Sequence, residues 1–185
     1  MEFTLRYRGP LRSNAGPDQK HEIRKQIHQQ LDVLWQQTPL IEHRRYFDGS
    51  RPDEDINLTA KVGEFSFVPL VSSKLFLVCG LEIVMLRPEP PGRIITQGGD
   101  LDNRLKTLFD ALRFPKNGAE IPRGASPAIN EEFFFCLLED DNLITSVAVR
   151  ADQLLDSTAA PNDVDIFIRV STKPTRSCFA NLGLT

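Results

Sequence analysis

The sequence is poor in features that define several specialised classes of protein. Its 185 residues include three cysteines, and Cys79, Cys136 and Cys178 are far apart, odd in number and without CxxC spacing. This pattern excludes a disulfide scaffold and indicates reduced, structural thiols. The most apolar stretch, residues 76–86, is short and contains Glu82, so the sequence predicts no segment that crosses a membrane.

Targeting signals and common catalytic motifs are also lacking. The first ten residues, MEFTLRYRGP, carry charges and no apolar core, so no secretory signal is predicted and a cytoplasmic location is expected. The chain has no GxxxxGK[ST] loop and no GxSxG motif. His21, His28 and His43 are too dispersed for a joint metal site and are expected to be surface or packing residues.

The charge is nearly balanced. Lysine and arginine total 22 against 25 for aspartate and glutamate, which gives a net charge of −3 and argues against a general nucleic-acid binder. With 41% hydrophobic residues, the composition is that of an ordinary globular protein. Folding at this length buries roughly 70% of the surface of the unfolded chain, so one domain over residues 1–185 is expected.

Hydrophobic spacing predicts an α+β fold. Alternating or continuous apolar residues predict strands over residues 3–8, 75–86, 143–150 and 164–170, with a further short apolar run at 133–138. Apolar residues at spacings of three and four predict amphipathic helices over residues 18–37 and 101–113. This order favours a mixed sheet of about four strands covered by two main helices.

Two polar, irregular segments interrupt this pattern. Residues 38–64 are predicted to be an insertion or a mobile surface segment, and residues 114–131, rich in proline and glycine, are predicted to be a loop that is also extra material. The expected organisation is therefore a single domain with insertions at about 38–64 and 114–131.

Acidic residues cluster at two points. At the start of the second helix the sequence reads GGDLDNRLKTLFDALR, and a helical wheel places one set of polar residues opposite the leucines: Asp102, Asn103, Lys106, Asp110 and Arg113. Asp100 lies at the helix entry, and Glu139-Asp140-Asp141 follows the apolar run at 133–138. Since Mg²⁺ prefers carboxylate oxygens, Asp100, Asp102 and one of Asp140 or Asp141 could supply a metal site.

A purely structural interpretation of the same residues stays open. Asp100 is a good N-cap, and Asp102 suits the positive end of the helix dipole. Lys106 is spaced to bridge Asp102 and Asp110 by i,i+4 pairing. The acidic tripeptide at 139–141 could equally be a solvated turn.

The combination of motifs resembles the RusA family of Holliday-junction resolvases. The similarity consists of DLDN at the helix start, a lysine four residues after its second aspartate, DAL at 110–112 and the later pair Asp140-Asp141. It covers residues 75–150 well and the N-terminal strand more loosely. The resemblance implies a homodimeric endonuclease, often of phage or prophage origin, that nicks four-way DNA junctions with Mg²⁺ or Mn²⁺ during recombination and repair.

The resemblance also implies roles for individual residues. Asp100, Asp102 and Asp141 would be the catalytic carboxylates that bind metal, and Lys106 the catalytic lysine. Asn103, Asp110 and Asp140 would have supporting roles. A metal-activated water would attack the phosphodiester, and Lys106 would offset the charge that develops on the phosphate. The chain is longer than a usual small resolvase, and the 114–131 segment leaves the choice between Asp140 and Asp141 open.

Basic residues are concentrated at the N-terminus. Residues 1–30 contain six positive side chains against three acidic ones, a net of +3, and the six are candidate DNA contacts: Arg6, Arg8, Arg12, Lys20, Arg24 and Lys25. A solvated basic face is the alternative.

The leading hypothesis is a Mg²⁺-dependent endodeoxyribonuclease that acts on branched DNA as a homodimer, whose two-fold axis would match that of the junction. The rivals are a non-catalytic protein of the same fold that binds DNA structures, and a nuclease for other branched nucleic acids.

Overall fold

A computed structural model of the protein describes residues 1–50, 56–89, 101–129 and 131–184. The strands are β1 (Glu2–Pro10), β2 (Ala60–Val62), β3 (Phe65–Val71), β4 (Leu77–Arg87), β5 (Phe134–Leu138), β6 (Ile144–Gln153) and β7 (Asp163–Pro174). The α-helices are α1 (Pro17–Trp35) and α2 (Leu101–Leu112). No helix within these ranges is both long enough and apolar enough to cross a membrane.

A four-stranded mixed sheet is the centre of the fold. Its order is β1-β7-β4-β6, in which β7 pairs antiparallel with both β1 and β4, and β4 pairs parallel with β6. All four strands predicted from the sequence belong to this sheet. Both predicted helices are present, so the predicted α+β fold with a mixed four-stranded sheet is confirmed.

Alternation decides which face of this sheet is buried. In β1, Leu5 and Tyr7 point into the core while Arg6 and Arg8 face outward. The buried residues of β4 and β7 join the apolar stripe of α1 and the residues Leu108 and Leu112 of α2 in one core cluster. One face of the sheet is therefore covered by the helices, as the hydrophobic pattern requires.

A second sheet was not predicted. Its three strands have the order β2-β3-β5, with β3 antiparallel to β2 and parallel to β5. Nearly all of β3, FSFVPLV, is buried, so its sequence lacks the alternation that marks a half-exposed strand. Phe65 and Phe67 pack with Phe134 and Cys136 of β5 in a separate small cluster. Cys79, in β4, and Cys136 are both buried and unbridged, as expected of structural thiols.

The segment predicted as a surface insertion contributes to the core. Leu40–Tyr46 forms a 3-10 helix, and Leu40, Tyr46 and Leu58 are almost completely buried. The expectation of a mobile surface segment over 38–64 is therefore wrong for these residues, because apolar side chains spaced among polar ones still reach the core. Residues 114–129, by contrast, form a loop with one short 3-10 turn, Gly118–Glu120, as predicted.

The contacts at the two ends of α2 determine where the motif residues lie. Arg104, in the first half of α2, contacts Glu89 just beyond β4 at 3.5 Å and donates to Asn162 just before β7 at 3.2 Å. At the other end of α2, the Phe114 N–H donates to the Leu138 carbonyl oxygen at 3.1 Å. The start of α2 thus lies near the end of β4, and its end lies near the end of β5.

Candidate functional site

The exposed side of α2 carries two motif residues. Asp102 is exposed in the first turn, where its carboxylate accepts a hydrogen bond from the Asn103 N–H at 2.8 Å. Lys106 is exposed one turn later and forms no ion pair with any residue in the described ranges. The alternative in which Lys106 bridges Asp102 and Asp110 is therefore not observed, and both charged groups are accessible from solvent.

Asp110 forms ion pairs with residues other than Lys106. Its carboxylate binds the Lys20 ammonium group of α1 at 2.7 Å and the Arg113 guanidinium at 3.2 Å. Burial alone would raise the pKa of Asp110, but the hydrogen bonds and charges of Lys20 and Arg113 outweigh it and the pKa is lowered. Asp110 thus links the two helices through its ion pairs.

Arg113 was predicted on the polar face of the second helix but is buried, with 6% exposure. The prediction fails because Arg113 follows the last helical residue and turns inward, where Glu120 binds its guanidinium at 2.9 Å. The fully buried positions of α2 include Leu108 and Leu112, whereas Leu105, which shares the predicted stripe, is only half-buried.

The second acidic cluster forms a 3-10 turn between β5 and β6. Glu139 accepts hydrogen bonds from Ser72 and Ser73, which ties the end of β5 to the β3–β4 connection. Asp140 caps the turn by accepting from the Asn142 N–H at 3.0 Å and also binds Lys116 at 3.0 Å.

The two aspartates of this turn have different surroundings. The Asn142 N–H and the Lys116 ammonium group lower the pKa of the Asp140 carboxyl. Asp141 is exposed and forms no ion pair with a described residue. Of the two, Asp141 has the carboxylate that is not committed to a salt bridge.

The predicted carboxylate site cannot be assembled from the described residues alone. Asp100 lies outside them, and no three histidine, cysteine or acidic side chains within them are placed to hold a metal ion together. Asp102 is in the first turn of α2, while Asp140 follows β5 near the end of α2. The set Asp100, Asp102 and Asp141 therefore stays a prediction, although its oxygen donors are of the kind that Mg²⁺ prefers.

Most of the predicted DNA-binding side chains form ion pairs. The pairs are Arg6 with Asp165 at 2.7 Å, Arg8 with Asp156 at 2.8 Å, Lys20 with Asp110 at 2.7 Å and Lys25 with Glu22 at 2.9 Å. The Arg8 side chain is more than half exposed, and exposed pairs contribute little stability, so a phosphate could replace Asp156 as its partner. Arg6 is also half exposed, but Asp165 is buried and accepts two hydrogen bonds from it, so separating this pair would leave a buried carboxylate without its cation. Arg12 is exposed and has no ion-pair partner among the described residues.

Arg24 is wrongly predicted as a DNA contact. It is 1% exposed, and its guanidinium donates to three backbone carbonyl oxygens: Asp110 at 2.9 Å, Arg113 at 3.1 Å and Glu120 at 3.4 Å. The physical reason is that the Asp110 carbonyl group near the end of α2 lacks a helical partner, and one buried cation satisfies it together with the Arg113 and Glu120 carbonyl groups that follow the helix.

Sequence reasoning missed a groove beside the start of α1. It has a volume of about 770 Å³ and lies between the end of β1, the loop of residues 11–16 and the first two turns of α1. His21 lines it and is buried, with its ring 5.6 Å from that of Phe134 and 5.4 Å from that of Phe65. The packing role expected of this histidine is confirmed, whereas nothing in the sequence signalled the groove.

Comparisons with known proteins add no assignment. No protein-family model matches the chain, and neither a curated protein nor a solved structure matches it. The resemblance to the RusA family therefore depends on the motif residues themselves.

Proposed function

We propose that the chain is a metal-dependent endodeoxyribonuclease that resolves four-way DNA junctions by paired phosphodiester nicks, in recombination and repair. The proposal assigns Mg²⁺ or Mn²⁺ to Asp100, Asp102 and Asp141, and assigns Lys106 to the phosphate of the scissile bond. It includes a cytoplasmic homodimer whose two-fold symmetry matches that of the junction.

The observation that carries the proposal is that Asp102 and Lys106 are exposed and are not paired with each other. These two residues stand one turn apart on the exposed side of α2, with neither in a salt bridge to a described residue. A helix stabilised by its own charge pairs would use this i,i+4 spacing for a Lys–Asp bridge. Free charges of opposite sign at motif positions are instead suited to a cation and a phosphate.

A second candidate is a non-catalytic protein that binds branched DNA. The observation in its favour is that no three acidic, histidine or cysteine side chains among the described residues are placed to hold a metal ion, and that Asp140 serves as a cap and an ion-pair partner. In this case the exposed basic groups Arg6, Arg8 and Arg12 would supply phosphate contacts without any cleavage.

Cleavage of a synthetic four-way junction distinguishes the two candidates. The wild-type protein, Asp102→Asn and Lys106→Met are each incubated with the labelled junction in Mg²⁺, in Mn²⁺ and in EDTA. We expect symmetrical nicks with wild type and metal only, and a loss of about 100-fold or more in the variants, since Asp102 would hold the metal ion and Lys106 would contact the reacting phosphate.

Glu64→Gln is the matched control, because it also removes one exposed carboxylate charge, on the turn between β2 and β3. It should cleave like wild type. Junction binding without metal-dependent cleavage by wild type would favour the non-catalytic candidate, and equal cleavage by wild type and Asp102→Asn would refute the assignment.

A further inference from the structure

The groove beside α1 has a mixed lining. Among its charged residues, three cations, Arg8, Arg12 and Lys25, face two acids, Asp18 and Glu22. Its volume of about 770 Å³ lies in the range of small-molecule sites and is far more than one phosphate group occupies.

Apolar surface makes up another part of the lining, beside uncharged polar residues such as Ser13 and Asn14. Tyr7 forms one part of it, with its hydroxyl group donating to the Pro10 carbonyl oxygen at 2.7 Å. Pro122 and Ala125, from the loop that follows α2, form another. The groove therefore offers both charged and apolar groups to a ligand.

The start of α1 opens into this groove. Gly16 is the N-cap residue and provides no side-chain acceptor, and Pro17 occupies the first helical position. The first-turn N–H groups of a helix have no intrahelical partners and carry the positive end of the helix dipole. An anion near Gly16 would meet these groups together with the Arg12 side chain, which has no ion-pair partner in the part of the chain that the structure describes.

A separate observation concerns His21. It is 1% exposed, it lines the groove, and neither of its ring nitrogens has a hydrogen-bond partner among the described residues. Buried polar atoms without partners are uncommon because each loses its hydrogen bonds to water on folding. Because His21 lines the groove, a ligand whose polar atoms reach its ring would supply the missing partner.

We propose that this groove binds a nucleoside phosphate, with its phosphate at the start of α1 beside Arg12 and its base near Tyr7, where the ring nitrogens of His21 meet the polar edge of the base. The proposal rests on the proposed function in taking the nucleotide as one unit of a DNA strand; a free nucleotide has the same chemistry.

The chemistry of His21 suits a base edge better than a second phosphate. Burial, followed by the charges of Lys25 and Arg24, lowers the pKa of His21 to about 4 against the opposing charges of Glu22 and Glu131. The ring is therefore neutral at pH 7, with one nitrogen that donates and one that accepts. Nucleobase edges present the same combination of donors and acceptors.

Equilibrium binding in EDTA tests the groove without cleavage. Fluorescence anisotropy is measured with a labelled single-stranded oligonucleotide, and unlabelled deoxynucleoside monophosphate is added as competitor to distinguish a strand from a free nucleotide. The variants are His21→Phe, which keeps an aromatic ring between Phe65 and Phe134, and Arg12→Ala. Lys173→Ala is the control, because it removes one exposed cation at the other end of β7, about 30 Å along the sheet from the Pro10–Asp163 pair.

We expect Kd to rise about 10-fold for Arg12→Ala and about 5-fold or more for His21→Phe, and to change less than about 2-fold for Lys173→Ala, from the strength of hydrogen bonds to charged and neutral groups. His21→Phe should bind more weakly while melting at the same or a higher temperature, since it removes two unpaired buried nitrogens. Wild-type affinity in His21→Phe would overturn the proposal.

A second measurement needs no variant. In the wild-type protein, the ¹⁵N and ¹H signals of the His21 imidazole should shift as oligonucleotide or monophosphate is added, and signals that do not move at saturation would also overturn the proposal. Both experiments measure binding without metal, so an enzyme that fails to cleave junctions can still pass them, and failure here leaves the assay of Asp102→Asn unaffected.

Discussion

The Arg24 guanidinium of α1 donates a hydrogen bond to the backbone carbonyl oxygen of Arg113, just past the end of α2, at 3.1 Å. It also donates to the carbonyl oxygens of Asp110 and Glu120. The last carbonyl groups of a helix otherwise have no partner, and a cation placed there interacts favourably with the helix dipole. One buried side chain of α1 therefore completes the end of α2 and joins the two helices.

Replacing Arg24 by methionine should destabilise the protein strongly. Methionine preserves much of the apolar stem but leaves several buried carbonyl groups without donors. We expect a loss of about 3 kcal/mol in the free energy of unfolding, measured by urea denaturation at pH 7. Lys25→Met is the matched control, because Lys25 is exposed and paired with Glu22, and it should lose less than about 1 kcal/mol. Similar losses in both variants would show that Arg24 does not bind the end of α2 as described.

The helices and strands that bury only one face were predictable from the sequence, because their apolar residues recur at regular spacing. In α1, Ile23, Ile27 and Leu31 are all fully buried, and from Ile166 to Val170 the alternation of β7 likewise matches its burial. The run FSFVPLV of β3 carried no such signal, because a strand buried on both faces has no period. The fold class was predictable for this reason, and the second sheet was not.

For the candidate site, sequence indicated residue types but not partners. The burial of Arg24 depends on which carbonyl groups meet it, and these belong to residues more than 80 positions away in the chain. Spacing within α2 likewise suggested a Lys106–Asp110 pair, whereas Asp110 binds Lys20 from α1. Such tertiary contacts outweigh local i,i+4 pairs, which are worth a few tenths of a kcal/mol.

The Asp110 ion pairs should make part of the stability depend on pH. The pKa of Asp110 is lowered in the folded protein, so its contribution is present above the ordinary aspartate value of 3.8 and is lost as pH falls through the lower, folded value. Asp110→Asn should be about 1 to 2 kcal/mol less stable than wild type at pH 7, and the difference should shrink as pH is lowered from about 5 to about 2.

Urea unfolding at several pH values measures this difference. Glu64→Gln is the control, since Glu64 is exposed and has no ion pair within the described ranges, and its stability should follow that of wild type. A constant gap between Asp110→Asn and wild type down to pH 2 would contradict the expected linkage.

Replacing His21 should make the variant more stable than wild type at low pH, whereas replacing Asp110 makes the variant less stable at pH 7. Its pKa falls from 6.5 to about 4 on folding, so between these values the unfolded chain binds a proton that the folded protein does not, and stability is lost as pH falls. One pKa unit corresponds to about 1.4 kcal/mol, which gives roughly 2 to 3 kcal/mol over this window. Phenylalanine does not titrate, so the stability of His21→Phe relative to wild type should rise from pH 7 to pH 4.

The comparison also removes the contribution of His28, which is half-buried. Burial lowers the pKa of His28 as well, but both proteins contain His28, so its effect cancels in the difference. Free energies of unfolding at pH 7, 5.5 and 4 would suffice. A relative stability that does not change with pH would mean that His21 titrates alike in the folded and unfolded chains.

Substitution of Asp140 should mainly lower stability, whereas substitution of Asp141 should mainly lower cleavage. Asp140 caps the turn after β5 and binds Lys116, so Asp140→Ala should lose about 1 kcal/mol of stability and retain measurable junction cleavage. Asp141 is exposed and forms no ion pair with a described residue, so Asp141→Ala should melt like wild type. If Asp141 binds the metal ion, its loss should nevertheless reduce cleavage by about 100-fold or more. Wild-type cleavage by Asp141→Ala, together with a loss of cleavage in Asp140→Ala, would reverse the assignment. Asp140 would then be the metal ligand, and it would have to leave Lys116 to bind the cation.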